Sequence, residues 1–265
     1  MKWRDNKRSY SYVWTKHKLI AHAAGGIDRF PYTNSKEAYL NSYKNGFRLF
    51  EIDISITSDE KLVARHDWKK KYGQDYQFNG DPITYNDFIN LKYHKKYTPM
   101  DFKMVLSIMK KHPDIHVIID GKVQSAQDTK VLYEKVNQII KDWPYDLKMR
   151  LIPQMFYEED LQIIRNFGFK DIIYVPGRES YTPSSLTEFC NKNNIGVVSL
   201  SRKRTNAEIV KMLSDNNIKV YMYTLNDLTE MQKYIKMGVH GFFTDFVQPT
   251  KFISCEPNKK ISSDE

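Results

Sequence analysis

Residues 49–68, LFEIDISITSDEKLVARHDW, read as two short strands joined by a tight polar turn. Residues two apart on an extended chain leave it from the same face, so Glu51 and Asp53 point the same way. The turn Ser58-Asp59-Glu60-Lys61 leads into Leu62-Val63-Ala64-Arg65-His66-Asp67. A two-residue loop at Asp59-Glu60 sets Asp53 opposite His66, roughly 5 Å away between backbones. Two carboxylates and an imidazole then share one patch. An edge hairpin with a wet face carries such residues routinely, so the neighbouring sequence must decide between a site and a solvated edge. In either case the returning strand runs antiparallel to its partner, and that settles how it counts in the fold.

Upstream, Lys18-Leu19-Ile20-Ala21 is a short apolar strand running into His22-Ala23-Ala24-Gly25-Gly26. Asn34 or Ser35 caps a helix over 36–44, closed by Asn45-Gly46. Downstream, residues 69–97 form a long polar and aromatic excursion with a short helix over 85–91, the length of a lid or specificity loop. Phe102, Val105, Leu106 and Met109 have helical spacing, ended by His112-Pro113. From there strands at 116–120, 150–153, 171–175, 196–200, 219–224 and 241–245 alternate with helices at 126–141, 158–167, 184–192, 206–214 and 228–236. Nearly continuous apolar strands alternating with helices predict a covered parallel sheet. Of nine strand candidates, the antiparallel return cannot belong to that sheet's parallel set. The eight left predict an α/β fold, a (β/α)8 TIM barrel with a hairpin excursion after the second strand. The competing open doubly wound sheet lacks its Gly-x-Gly-x-x-Gly phosphate loop. We divide the chain into an arm (1–17), the barrel (18–250) and a flexible tail (251–265).

A chain of 265 residues with 41% hydrophobic and 14% aromatic content can bury a sizeable core. The net charge of +9 favours anionic partners. Its lysines are dispersed, with short clusters only at Lys69-Lys70-Lys71 and Arg202-Lys203-Arg204, which argues against a nucleic-acid face. Cys190 and Cys255 have no metal-ligand spacing and are expected reduced. With no apolar run long enough to span a bilayer and no signal-peptide core, the expected location is cytoplasmic, with peripheral membrane contact left open.

In such a barrel the chemistry belongs at the C-terminal strand ends. The polar residues there are His22, Glu51 and Asp53 with His66 beside them, Asp120 and Lys122, then Gln154, Arg178, Ser199, Ser201, Tyr223 with Asn226, and Asp245. Three converging carboxylates suit one hard divalent cation, Mg²⁺ or Ca²⁺. The alternative for Asp120, which ends an apolar run, is an ion pair with Lys122. Two histidines flanking a reacting phosphorus suit a general base and a general acid. His94, His112, His116 and His240 are read as structural.

His22, Glu51-Ile52-Asp53, Leu62-Val63-Ala64-Arg65-His66-Asp67, Ile119-Asp120-Gly121-Lys122, Tyr223-Thr224-Leu225-Asn226-Asp227 and Gly241-Phe242-Phe243-Thr244-Asp245 together resemble the glycerophosphodiester phosphodiesterase family, related to the phosphatidylinositol-phospholipase-C-like barrels. The resemblance implies a phosphoric diester hydrolase of the TIM-barrel type acting on a small-molecule or lipid phosphodiester. It implies metal ligation by Glu51, Asp53 and Asp120, catalysis by His22 and His66, and a phosphate contact from Lys122. Three departures stand out. Ala23-Ala24 replaces the Arg-Gly that usually follows the first histidine, the Glu-Asn-Thr loop is replaced by Tyr32-Thr33-Asn34-Ser35-Lys36-Glu37, and the third acid is Asp. That Asp is similar to the spider-toxin phospholipases D, so a phospholipase D-like enzyme on lipid phosphodiesters is one alternative and a non-catalytic anion-binding barrel another. A glycosidase fits less well, since its two acids must stand across a sugar. With the usual arginine gone, Arg178 is the expected replacement, with Gln154 and Tyr223 as further substrate contacts. Arg65 is expected to point away, because its neighbours Ala64 and His66 face the other side.

Overall fold

In the computed structural model, which describes residues 12–69, 79–177 and 180–253, β1 (Leu19–Ala21) pairs in parallel with both β2 (Leu49–Ile56) and β9 (Gly241–Thr244). That double pairing joins the two ends of one sheet. Between them run β4 (His116–Gly121), β5 (Leu151–Met155), β6 (Ile173–Tyr174), β7 (Val197–Ser201) and β8 (Lys219–Tyr223), each parallel to the next. The described strands thus form a closed parallel barrel of eight, with β3 (Leu62–Ala64) added antiparallel to β2. Closure removes the sheet edges and hides every strand on both faces, which is why these strands read as continuous apolar runs.

Helices supply the return paths. α1 (Lys36–Lys44) follows β1, and α2 (Tyr85–Ile89) and α3 (Phe102–Lys111) lie between β3 and β4. α4 (Ala126–Ile140) and α5 (Tyr145–Lys148) precede β5, and α6 (Asp160–Asn166), α7 (Pro183–Lys192), α8 (Ala207–Asp215) and α9 (Leu228–Met237) follow β5 to β8 in turn. α10 (Pro249–Ile253) follows β9. The side chains of Ser35, Asp101, Ser125, Thr182, Asn206 and Asp227 each accept an N–H of the first helical turn, an arrangement that contributes about 1 kcal/mol per cap. Neither α5 nor α10 was anticipated. α10 occupies the start of the expected tail, where Phe252 is buried and lies 6.0 Å from Phe242, ring to ring.

The barrel interior shows how the chain aims its polar residues. One buried cluster takes a single residue from each barrel strand: Ile20, Leu49, Ile118, Ile152, Ile173, Val197, Tyr221 and Phe243. Residues two further along point the same way, and these are His22, Glu51, Asp120, Gln154, Val175, Ser199, Tyr223 and Asp245. An apolar layer therefore sits beneath a mostly polar one. Trp14 and Tyr12 close the apolar end: Trp14 Nε1 donates to Asp171 Oδ2 at 3.0 Å, Gly196 N donates to the Tyr12 hydroxyl at 2.8 Å, and Trp14 stacks on Tyr221.

A second apolar body flanks the polar end. Val63, Trp68, Ile83, Phe88, Leu91, Tyr93 and Tyr97 form it, with Ile27, Phe30 and Tyr32 of the β1–α1 loop packed against it. The described part of the excursion, residues 79–97, is thus anchored beside the mouth of the barrel.

The hairpin register differs from the expectation by one residue. Ile54 faces Ala64 and Ile56 faces Leu62, so Asp53 faces Arg65, whose N–H donates to the Asp53 carbonyl at 3.0 Å, and not His66. The loop holds three residues and not two. Thr57 N bonds the Lys61 carbonyl at 2.9 Å, the Thr57 hydroxyl bonds Asp59 at 2.7 Å, and Glu60 takes the left-handed conformation (φ 64°) that closes a three-residue hairpin.

Candidate active site

The register of β2 and β4 sets Asp53 beside Asp120, while Glu51 projects from the same face of β2 one pleat below. One carboxylate oxygen from each of Glu51, Asp53 and Asp120 lies within 4.8 Å of the others. Lys122 Nζ stands 2.5 Å from Asp53 Oδ1 and 2.5 Å from Asp120 Oδ2. The ion pair weighed for Asp120 is therefore present, and shared. It does not balance the site, since one ammonium faces three carboxylates. Glu51 Oε2 accepts the Ala23 N–H at 2.7 Å, and Asp53 Oδ2 accepts from Asn34 Nδ2 at 2.6 Å. Glu51 Oε1 and Asp120 Oδ1 are buried without a hydrogen-bond partner.

The electrostatics follow from that imbalance. Burial, then the charges of Asp53 and Asp120, push the Glu51 carboxyl well above its usual range. Burial would raise Asp53 too, but Lys122, His66 and His22 bring it down to about 2. Asp120 stays above its ordinary value because burial outweighs the attraction of Lys122, with Asp53 adding to the rise. Lys122 is held protonated against its own burial by Asp120, Asp53 and Glu51. Hard oxygen donors, two of them unpartnered, and excess buried negative charge fit a hard divalent cation.

The two histidines carry matching supports. His22 Nδ1 lies 2.9 Å from Asp245 Oδ1, and His66 Nδ1 lies 2.7 Å from Asp67 Oδ2. Asp245 is held in turn: Asn226 Nδ2 donates to its Oδ2 at 2.7 Å, while Asn226 Oδ1 accepts from Thr244 Oγ1 and from the N–H groups of Asp245 and Phe246. A carboxylate on Nδ1 fixes the proton there in the neutral ring and leaves Nε2 available to act as a base or, once protonated, as an acid.

The structure thus brings Glu51, Asp53, Asp120 and Lys122 into contact, with His22 and His66 close enough to shift Asp53. Gln154 and Tyr223 share the inward face further round; Tyr223 bonds Ser201 and feels the charges of Arg204 and Asp120. Arg178 lies outside the described residues. The Arg65 guanidinium donates to the Tyr93 hydroxyl at 3.2 Å and lies over Trp68. Sequence reasoning assigned no catalytic or supporting role to Asp67, Asp245 or Asn226, though it placed Asp245 and Asn226 at the strand ends. Asp67 adjoins His66 and Asp245 ends a strand, so both carried a signal. Of the two cap candidates, Asn34 and Ser35, it is Ser35 that caps α1, while Asn34 braces Asp53 through its side chain in both directions. Tyr32 is the other omission, its ring set edge-on to His22 and to His66.

Residues 24–248 match the model of the glycerophosphoryl diester phosphodiesterase family. Human lysophospholipase D GDPD1 is 22% identical over 276 residues, covering 88% of this chain and 84% of that protein. Among solved structures, an Oleispira antarctica phosphodiesterase in complex with the product sn-glycerol-3-phosphate superposes with a TM-score of 0.74 at 17% identity, covering 90% of this chain and 96% of that one. A Thermotoga maritima glycerophosphodiester phosphodiesterase gives 0.65 at 19% identity, covering 86% and 94%. With the matched segment running from just after β1 through β9 and including the acidic cluster at the barrel mouth, this chain belongs to the glycerophosphoryl diester phosphodiesterase family of phosphoric diester hydrolases.

Proposed function

We propose that the protein is a divalent-metal-dependent phosphodiesterase that cleaves small glycerophosphodiesters by acid–base catalysis from His22 and His66. The observation that carries this reading is the buried trio of Glu51, Asp53 and Asp120, two of whose oxygens lack partners, flanked by two histidines that each hold a carboxylate on Nδ1. A Mg²⁺ or Ca²⁺ ion bound by the three acids would neutralise charge on a phosphoryl oxygen. Lys122 adds a second positive contact on the same side. One imidazole takes the proton of the nucleophile, water or a substrate hydroxyl, through Nε2, and the other delivers a proton to the departing alkoxide. Asp245 and Asp67 hold the rings in the tautomer that makes this exchange possible. Gln154, Tyr223 and Arg178 remain proposed substrate contacts.

Lipid phosphodiesters are the second reading. It is favoured by the likeness to the human lysophospholipase D and by the aromatic body beside the mouth. Turnover of glycerophosphocholine and of lysophosphatidylcholine, each with Mg²⁺, Ca²⁺ or chelator, separates the readings. Choline release from the first substrate alone supports the small-substrate enzyme. Activity that survives exhaustive chelation sinks the metal role, and retained phosphate binding without turnover leaves only a binding barrel.

A further inference from the structure

Tyr32 occupies a position that nothing so far explains. It lies in the β1–α1 loop with φ 62°, a left-handed conformation that a bulky side chain adopts only under constraint. The loop is pinned on both sides. Ile27 and Phe30 exchange backbone hydrogen bonds at 3.0 and 2.9 Å, Phe30 stacks on His94 at 3.7 Å, and Asn34 is tied to Asp53. Between these anchors the Tyr32 ring meets His22 edge-on at 4.7 Å and His66 edge-on at 6.0 Å, centroid to centroid. It is the aromatic ring, among the described residues, in recorded contact with both imidazoles. Burial first, then the charges of Asp245, Asp53 and Glu51, raise its phenol above the ordinary value, with Lys122 opposing. Any phosphodiester seated between the two imidazoles has this ring as a wall.

We propose that Tyr32 is a substrate-contacting residue whose phenol O–H donates to the phosphoryl group, in place of the basic residue that the chain lacks after His22. The proposal rests on the reading of the site given above. A tyrosine phenol is protonated at neutral pH, so it brings a donor without adding negative charge. Glycine would fit this left-handed backbone with less strain than the aromatic residue found here.

Tyr32→Phe separates the hydroxyl from the ring. With glycerophosphocholine and saturating divalent cation, it is expected to lower kcat/KM by about 10- to 100-fold, the range of a hydrogen bond to a charged group. Calorimetric affinity for sn-glycerol-3-phosphate should fall in parallel, while cation affinity and melting temperature stay at wild-type values. Tyr32→Ala, which also removes the wall, should lower kcat further. A Tyr32→Phe enzyme within twofold of wild type in both kcat/KM and sn-glycerol-3-phosphate affinity overturns the proposal. A wild-type protein that turns over no phosphodiester overturns the proposed function, and this inference with it.

Discussion

Lys122 holds two carboxylates of a set of three, which makes it both a charge partner and a stand-in for missing positive charge. Replacing it by Gln leaves Asp53, Asp120 and Glu51 buried without an ammonium. In chelator, Lys122→Gln should lose on the order of 3 kcal/mol of stability, the scale of a buried pair broken on one side. Added Mg²⁺ or Ca²⁺ should restore more of the melting temperature in the variant than in the wild type. Equal melting temperatures in chelator would show that the carboxylates are neutralised by other means. Asp245 invites a different test. Asp245→Asn keeps the shape but presents the wrong partner to His22 Nδ1, so turnover should fall by about 10² to 10⁴ with cation affinity unchanged. Diesters with acidic leaving groups should recover part of that loss if His22 is the acid, and none if it is the base.

The β1–α1 loop is the element on which the site depends most. Ala23, Ala24, Asp28, Tyr32 and Asn34 all have positive φ, with Ala24 at 70° and fully buried. Left-handed backbone costs an L-residue about 1 kcal/mol or more. The loop keeps this geometry because its ends are used: Ala23 N–H bonds Glu51, and Asn34 bonds Asp53. Ala24→Gly should therefore hold or raise the unfolding free energy by up to about 1 kcal/mol, since glycine occupies this region freely. Ala24→Val should lower it by at least about 2 kcal/mol, combining strain with overpacking. Chemical denaturation of the two variants reads both effects, and a Gly variant less stable than wild type would contradict the strain argument.

Across the whole molecule, charge at the apolar end opposes charge at the polar end. His17, His116 and His240 are all lowered to about 4, in each case by burial first, with His17 also facing Lys16 and Arg48, His116 facing His17 and Arg150, and His240 facing Lys18 and Lys219. Their folded pKa lies below the ordinary 6.5, so the unfolded chain binds protons first as the pH falls. Their contribution to stability is complete above about pH 6.5 and is lost as the pH falls toward 4. Allowing for partial solvent contact, each is worth on the order of 1 kcal/mol at pH 5. Urea melts at pH 7 and pH 5 should show a smaller loss in His116→Gln than in wild type; an unchanged difference would place the acid sensitivity elsewhere.

The closed barrel and the inward acids were legible because backbone geometry makes them so. A strand repeats every two residues, so Ile118 and Asp120 must share a face wherever the strand ends up. A strict count of parallel strands, with the hairpin return set aside, then left eight. What only the tertiary structure decided are the pairings between residues far apart in the chain. His22 and Asp245 are 223 residues apart, and Asn34 reaches Asp53 because the β1–α1 loop that carries it is bent by left-handed residues that local spacing does not announce. The one-residue shift that set Arg65 and not His66 opposite Asp53 came from three hydrogen bonds inside the Thr57–Lys61 turn. Periodicity fixes which way a side chain faces; loop closure and packing fix what it meets there.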